Sequence, residues 1–481
     1  MLLVHPITEL VRFLPVLIGV FVASSATDRG AGFQLLGLAI PVLIGLVRYW
    51  TTRYRISDDR IELERGLLSR HAVATPLDRV RTVDLTASPV HRVLRLSTVR
   101  IGTGSAGGEG LDLDGLPAER ARELRARLLS SIAPLAPLVV GTSPGGAEPV
   151  TGERVVARFE PGWLRYAAFT SSGLVFATGV IGVGSQVLDG LGVLPGLDPD
   201  SLAERAVEVG ALVAVPALVV VVLLVAATLS VLGYLVTNGN FALSHTLPDG
   251  SWHLRRGLLT TRETSVDDDR LRGVSIGEPL GLRLVRGARL SAIVTGLDRS
   301  QIGSATLLPP TPRTLVDRVA TDVVGTSAPV TAWLSGHGPR ARTRRYVRAL
   351  VPASVVAAAV GAGVLLGGWT PWLLVVPALV LLAAGVLGHD RSRALGHALV
   401  EGWLVARSGS LTRRRELLAT DAVIGWNLSS TWFQRRAGLV SLVATTAGGR
   451  QSVVVLDVPE PDAVALADAA VPGLVTQFLS A

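Results

Sequence analysis

Six stretches of this chain are apolar over nearly their whole length: 10–27, 32–50, 164–187, 208–236, 349–367 and 371–388. A helix needs about 20 apolar residues to cross a bilayer, so these stretches predict six transmembrane helices. They group into three hairpins. The connections around 27–32 and 367–372 are too short to hold a domain, and the loop 188–206 carries only Asp189, Asp198, Asp200 and Glu204 as acidic residues. Between the hairpins the pattern changes period. "IELERG" and "GLDLDG" alternate apolar and charged residues, and "SWHLRRG" and "WLVARSG" do so less cleanly. That alternation predicts half-buried antiparallel strands. Each stretch closes in a helix-like segment: 117–132, 312–324 and 460–471. The first begins with Pro117 and sets Leu124, Leu128 and Ile132 on one face.

The polar segments repeat. "RGLLSR" at 65–70 has a near copy, "RGLLTTR" at 256–262, and a worn one, "RSGSLTRR" at 407–414. Twelve residues after Gly66, Gly257 and Gly409 stand Asp78, Asp269 and Asp421. Twenty-nine after Gly66 and Gly409 stand Arg95 and Gly438, whereas the second copy needs a one-residue slip to bring "RLSAIVTG" into line. A constant offset of this kind points to duplication. A glycine that follows an alternating strand suits a tight turn of positive φ, so the recurring phrase is a hairpin landmark.

Composition narrows the picture. The chain has 481 residues, is 49% hydrophobic with mean hydropathy +0.46, and has no cysteine. Disulfides, cysteine-held zinc and thiol catalysis are therefore excluded. All 46 basic residues are arginine, which together with the abundant alanine, glycine, valine and leucine points to a GC-rich bacterial genome. The net charge of +8 does not require nucleic acid, because arginine is retained on the cytoplasmic side of membrane proteins. Only Arg29 and Arg205 lie in the hairpin loops, whereas Arg12, Arg48, Arg53, Arg55, Arg154, Arg158, Arg165, Arg391 and Arg393 flank the other ends. The expectation is a multi-pass protein of the bacterial plasma membrane with both termini and all long polar segments cytoplasmic. Trp50, Trp163, Trp369 and Trp372 stand at span ends and read as interface anchors. No span has a central acidic or lysine side chain, which argues against a proton-coupled pump.

The lead-in "YRISDDRIELERGLLSR", the following "PLDRVRTVDLTASPVHRVLRLSTVRI" and the closing strand and helix resemble the bacterial pleckstrin-homology type 2 family, which includes YdbT-like membrane proteins. The first copy matches over nearly its whole length. The second carries a turn insertion in "HTLPDGS", and in the third Ser408 replaces the arginine and "TWFQRR" stands in place of "PVHRVL". The resemblance implies a bent antiparallel sheet capped by a C-terminal helix, and no reaction. The fold class expected is thus an α+β membrane protein: six transmembrane helices in three hairpins, each hairpin followed by a cytoplasmic pleckstrin-homology-like domain. The expected hairpins are 1–50, 161–237 and 347–390; the domains are 51–135, 238–326 and 391–475; 136–160 is a linker and 327–346 a basic linker.

No catalytic, cofactor or metal site is expected. "GTGSAG" (102–107) has dinucleotide-loop spacing, but "GEGLDLDG" follows and reads as a strand where a phosphate site needs a helix. The eight histidines are scattered, and in "DDD" (267–269) only the last aspartate recurs. The candidate contacts for lipid or partner are arginines: Arg65, Arg70, Arg256 and Arg262 around the turns, Arg340, Arg342, Arg344, Arg345 and Arg348 before the fifth span, and Arg413, Arg414 and Arg415 in the third copy. The function expected is a non-enzymatic membrane scaffold or binding protein, in complex assembly or envelope stress defence. Its partners would be membrane lipids and either a second copy or a smaller sister protein with one such domain, as the resemblance implies. A transporter or channel component is the alternative, with the glycine-rich "VGAGVLLGG" (360–368) allowing close helix packing.

Overall fold

The computed structural model describes residues 53–56, 60–65, 71–76, 82–87, 91–92, 94–102, 111–121, 123–124, 152–170, 211–247, 250–295, 306–448 and 452–473. The first hairpin and most of the first arm of the second lie outside these residues, as do Gly66, Arg70 and Asp78. The described residues fall into two compact units that meet at Asp267/Asp268. It is a mixed α+β protein with antiparallel sheets and long apolar helices.

The first unit holds two sheets. β1 (Arg53–Ile56), β2 (Arg60–Arg65) and β3 (His71–Pro76) form a three-stranded meander. The second sheet has seven strands: β4 (Thr82–Ala87), β5 (Leu96–Gly102), β6 (Leu111–Pro117), β7 (Gly152–Arg158), β8 (Ala242–Leu247), β9 (Ser251–Arg256) and β10 (Thr261–Asp267). Their order is β6-β5-β4-β10-β9-β8-β7, so strands from two of the expected domains share one sheet. β7 lies inside the stretch expected to be a linker. β5 and β6, the described strands on either side of "GTGSAG", pair antiparallel, while residues 103–107 of that string lie outside the described residues. The long apolar helix α1 (Ala211–Asn238) leads into β8. Trp163 departs from expectation. It is 1% exposed and packs edge-on between Phe159 and Phe241, so it is a core residue and not an interface anchor.

The second unit repeats the plan. β11 (Leu271–Pro279), a short helix α2 (Leu280–Leu284), β12 (Gly287–Val294), β13 (Thr306–Pro312) and α3 (Arg313–Val324) precede the helices α4 (Gly338–Leu366) and α5 (Val375–Ala394). Then come β14 (Gly396–Val400), β15 (Trp403–Ser408), β16 (Thr412–Ala419), β17 (Gly425–Ser429), the short helix α6 (Trp432–Ala437), β18 (Leu439–Thr445), β19 (Ser452–Pro459) and α7 (Glu460–Ala470). One sheet runs β13-β12-β11-β16-β15-β14 and the other β17-β18-β19. Between them lies an apolar core of Leu404, Leu418, Leu442, Val453, Val455 and Val458, closed by Ala463, Leu466 and Ala467 of α7. For the third domain the expectation is one bent antiparallel sheet capped by a C-terminal helix; the strands divide between two sheets instead, with the helix across their shared core.

The landmark glycines behave as their turns require. Gly257 has φ +108° and Gly409 φ +97°, and a Cβ on either would strike the carbonyl oxygen three residues on. Asp269 and Asp421 both fall in single 3-10 turns at the end of the strand that follows. The slip expected in the second copy does not exist. Arg95, Arg286 and Gly438 all have positive φ, and each stands 29 residues after its glycine. Their carbonyls accept from the first helical amide of Ala118 (3.0 Å), Arg313 (3.0 Å) and Glu460 (3.4 Å) in turn.

Candidate membrane-facing site

Among the described residues three segments are long and apolar enough to cross a membrane: Val220–Asn238, Gly338–Leu366 and Pro371–Ala394. The last two form a hairpin whose base carries the richest cluster of charged contacts. α4 begins at Gly338, so the run "RARTRRYVR" is helical and not a linker. The hairpin closes tightly at its base. A Cβ on Gly388 of α5 would lie 3.1–3.3 Å from Tyr346, and the Tyr346 hydroxyl meets His389 Nδ1 at 2.9 Å. Trp369 and Trp372, at the other end, are exposed.

The helical period divides the basic run. Arg344 and Arg345 turn inward and both bond Asp457, which is 0% exposed. Gln434 Nε2 donates to the same carboxylate at 2.8 Å and to Ser441 Oγ at 2.8 Å. Gln434 is itself set by a capping box with Thr431, whose hydroxyl accepts from Arg344 Nη2 at 3.3 Å. Asp457 lies in a bulge between β18 and β19 with φ +56°. The same place in the β5–β6 pair is held by Gly115 at φ +72°. A left-handed residue other than glycine is strained; here the strain aims a buried carboxylate at two guanidinium groups.

Asp390, near the end of α5, is the second anchor. Its carboxylate takes a bidentate pair from Arg283 (3.1 and 3.2 Å), Arg413 Nη2 at 2.7 Å and the Ser410 hydroxyl at 2.7 Å. The hairpin turn of β15 and β16 is thereby fastened to the helix. Arg415 Nη2 donates to the carbonyls of Pro329 and Ala332 at 3.0 and 2.9 Å. Burial, with Arg313 and Arg407 alongside, pushes its pKa down to about 10.

A pair of histidines lies beside Asp457. His337 Nδ1 is 2.7 Å from the Leu456 carbonyl and must donate to it. Its Nε2 lies 3.0 Å from His397 Nδ1 and, when the ring is neutral, accepts from it. Burial first and the neighbouring His397 second lower its pKa to about 4.

The arginine candidates therefore separate. Arg344, Arg345, Arg413 and Arg415 serve internal contacts, while Arg340, Arg342 and Arg348 are exposed. Arg414 is half-buried and lies on the opposite face of β16 from Arg413 and Arg415. Arg256 and Arg262 flank their turn directly opposite each other across β9 and β10, and Arg65 ends β2. One surface escaped the sequence reading. Trp432 and Phe433 are 55% and 70% exposed, edge-on to each other at 5.0 Å, with the Arg436 guanidinium 5.2 Å above the Trp432 ring. "TWFQRR", the string that stands in place of "PVHRVL", carries that signal. In the first unit, a cleft of about 770 Å³ is lined by Arg92, Arg95 and Arg255 with Glu119 and Glu263, so its charges largely offset one another.

The model of the bacterial PH domain family matches residues 10–132 and again 349–469. The chain belongs to the bacterial PH domain family. Both matches begin in an apolar hairpin segment and end in or near the C-terminal helix of a PH-like unit. No curated protein and no solved structure matches the chain. The second PH-like stretch lies outside both family matches, yet its strands and α3 follow the order of the others.

Proposed function

We propose that the protein is a non-enzymatic integral membrane scaffold, built from a duplicated unit in which an apolar hairpin carries a PH-like domain on its cytoplasmic side. Six spans in three hairpins complete that plan, with both termini cytoplasmic. The observation that carries the reading is the double clamp. Asp457 takes up Arg344 and Arg345 from α4, and Asp390 at the end of α5 takes up Arg283, Arg413 and Ser410. A binding-type fold is thus held at fixed height and angle on a membrane hairpin, which a freely tethered domain would not need.

Distance along α4 separates two surfaces. Arg348 adjoins the apolar stretch that begins at Ala349, whereas Arg340 lies about 12 Å further out at 1.5 Å per residue. Arg348, Arg391 and Arg393 sit where anionic headgroups are met, each attraction being worth about 1 kcal/mol. Trp432, Phe433 and Arg436 belong to the PH-like unit itself, and exposed aromatics beside arginine suit a protein partner. The test is in-cell crosslinking and pull-down of the full chain against a Trp432→Ala/Phe433→Ala/Arg436→Glu variant. The scaffold reading expects a partner captured by the parent and lost from the variant. An identical set of captured proteins from both overturns it.

A further inference from the structure

Two sheets in this protein run unbroken from one PH-like stretch into the next, and both do so in the same way. β4 pairs with β10 in the first unit, and β11 with β16 in the second. Val83, Asp84 and Leu85 lie opposite Ser265, Thr264 and Glu263. Val274, Ser275 and Ile276 lie opposite Leu417, Glu416 and Arg415. The offsets that carry Gly66 onto Gly257 and Gly257 onto Gly409 carry the first set of pairs onto the second without a slip. A side-chain bond repeats as well. Arg92 Nη1 donates to the Leu258 carbonyl at 2.7 Å, and its counterpart Arg283 Nη1 to the Ser410 carbonyl at 3.4 Å.

This junction is heterologous: it joins one kind of edge strand to another kind. A chain with two such junctions keeps one edge of each kind unused. They are β17, the counterpart of β4 and β11, and β3, the counterpart of β10 and β16. Among the described residues neither has a neighbour on its second side. The open end shows what the closed ones cover. Leu85 is 6% and Ile276 0% exposed at the occupied junctions, but Leu428 at the same position of β17 is 40% exposed. Arg435, the counterpart of Arg92 and Arg283, is exposed and bonds its own Ser430 carbonyl at 3.2 Å.

We infer that β17 of one molecule pairs antiparallel with β3 of a second copy of this chain, in the register of the two internal junctions. Trp426 then faces Ala74, Asn427 faces Val73 and Leu428 faces Ala72, with the two largest residues of β17 opposite alanines. Such head-to-tail contact closes into a ring or extends as a filament. The inference names a partner for the scaffold and rests on that reading only in requiring both edges on one side of the membrane.

Because the chain has no cysteine, disulfide trapping has a clean background. Two differently tagged full-length chains are co-expressed, one with Ala72→Cys and the other with Leu428→Cys, and in parallel Val73→Cys with Asn427→Cys. Of two adjacent antiparallel pairs one is non-hydrogen-bonded, with Cα atoms about 4.5 Å apart, which suits a disulfide. Mild oxidation of isolated membranes should give a mixed-tag disulfide dimer for one of the two pairs. The out-of-register combination of Ala72→Cys with Ile424→Cys should give none. No mixed-tag dimer for either pair overturns the inference. So does a disulfide that forms only within a single chain carrying both cysteines, or equal dimer from the out-of-register pair. Loss of the aromatic-patch partner in the preceding section would leave this result untouched.

Discussion

Arg344 meets Asp457 at the foot of the α4–α5 hairpin, and Arg345 meets the same carboxylate from the next position of the helix. A buried charge that loses its partners is costly because nothing replaces water around it. In this protein the two partners come from the long apolar helix α4 and the carboxylate from strand β19 of the PH-like unit. The contact therefore serves folding and placement together.

Asp457→Ala leaves two half-buried guanidinium groups facing a void. The expected loss is about 3–5 kcal/mol of stability, seen as a lower midpoint of thermal unfolding by tryptophan fluorescence in detergent. Asp457→Gly relieves the positive φ and should lose somewhat less, while Asp457→Asn keeps the shape but not the charge. An unchanged midpoint for Asp457→Ala would remove the clamp from the account.

Acid should weaken the same region. His337 is neutral in the fold with its pKa lowered to about 4, and that of His397 is lowered too, chiefly by burial. Unfolded, each titrates near 6.5. Between about 6.5 and 4 the unfolded chain binds more protons at His337 than the fold does, so stability falls as pH drops through that window, by up to about 1.4 kcal/mol per pH unit for this histidine; the lowered pKa of His397 acts in the same direction. Above about 6.5 this contribution is complete. His337→Gln should flatten that part of the stability–pH profile; a profile as steep as the parent's would show that the titration lies elsewhere.

Much of the plan was legible in the sequence because backbone demands leave local marks. Gly257 and Gly409 hold positive φ where their turns close. The helix-like segments 312–324 and 460–471 become α3 and α7, each capped by the proline that ends the preceding strand, Pro312 and Pro459. The shared sheets were not legible, because β4 and β10 lie far apart in the chain and pairing between strands has no sequence code beyond alternation. Nor was the division of the basic run. Arg340 and Arg344 look alike in composition, and only the position of Asp457 decides which turns inward. Trp163 misled for a related reason: it stands at a span end, but Phe159 and Phe241 enclose it.

Gly409→Ala tests the turn chemistry directly. A Cβ there would lie 2.3 Å from the Thr412 carbonyl oxygen at φ +97°, so a loss of about 2 kcal/mol or more is expected. Gly438→Asn should cost well under half of that. Its φ is +64° and the closest atom to a new Cβ is Arg340 Nη1 at 3.3 Å, the end of a flexible side chain. Chemical denaturation of the two variants compares them on one scale; equal losses would contradict the assignment.

Replacing Arg348, Arg391 and Arg393 by glutamine should reduce the anionic lipid that remains bound to the purified protein, read by native mass spectrometry. Replacing Arg340 and Arg342 should have little effect, since on the proposed topology they lie further along α4 from its apolar stretch. The reverse order would place the membrane boundary elsewhere on α4.

The central claim is that PH-like units lie on one side of the membrane and the α4–α5 turn on the other. Single cysteines at Leu259, Leu411 and Gly368, all in turns between paired elements, can be labelled with a membrane-impermeant thiol reagent in intact spheroplasts and again after permeabilisation. The account expects Gly368→Cys to react in intact cells, and Leu259→Cys and Leu411→Cys only once the membrane is opened. Labelling of Leu259→Cys and Leu411→Cys from opposite sides, or of all three from one side, would contradict it.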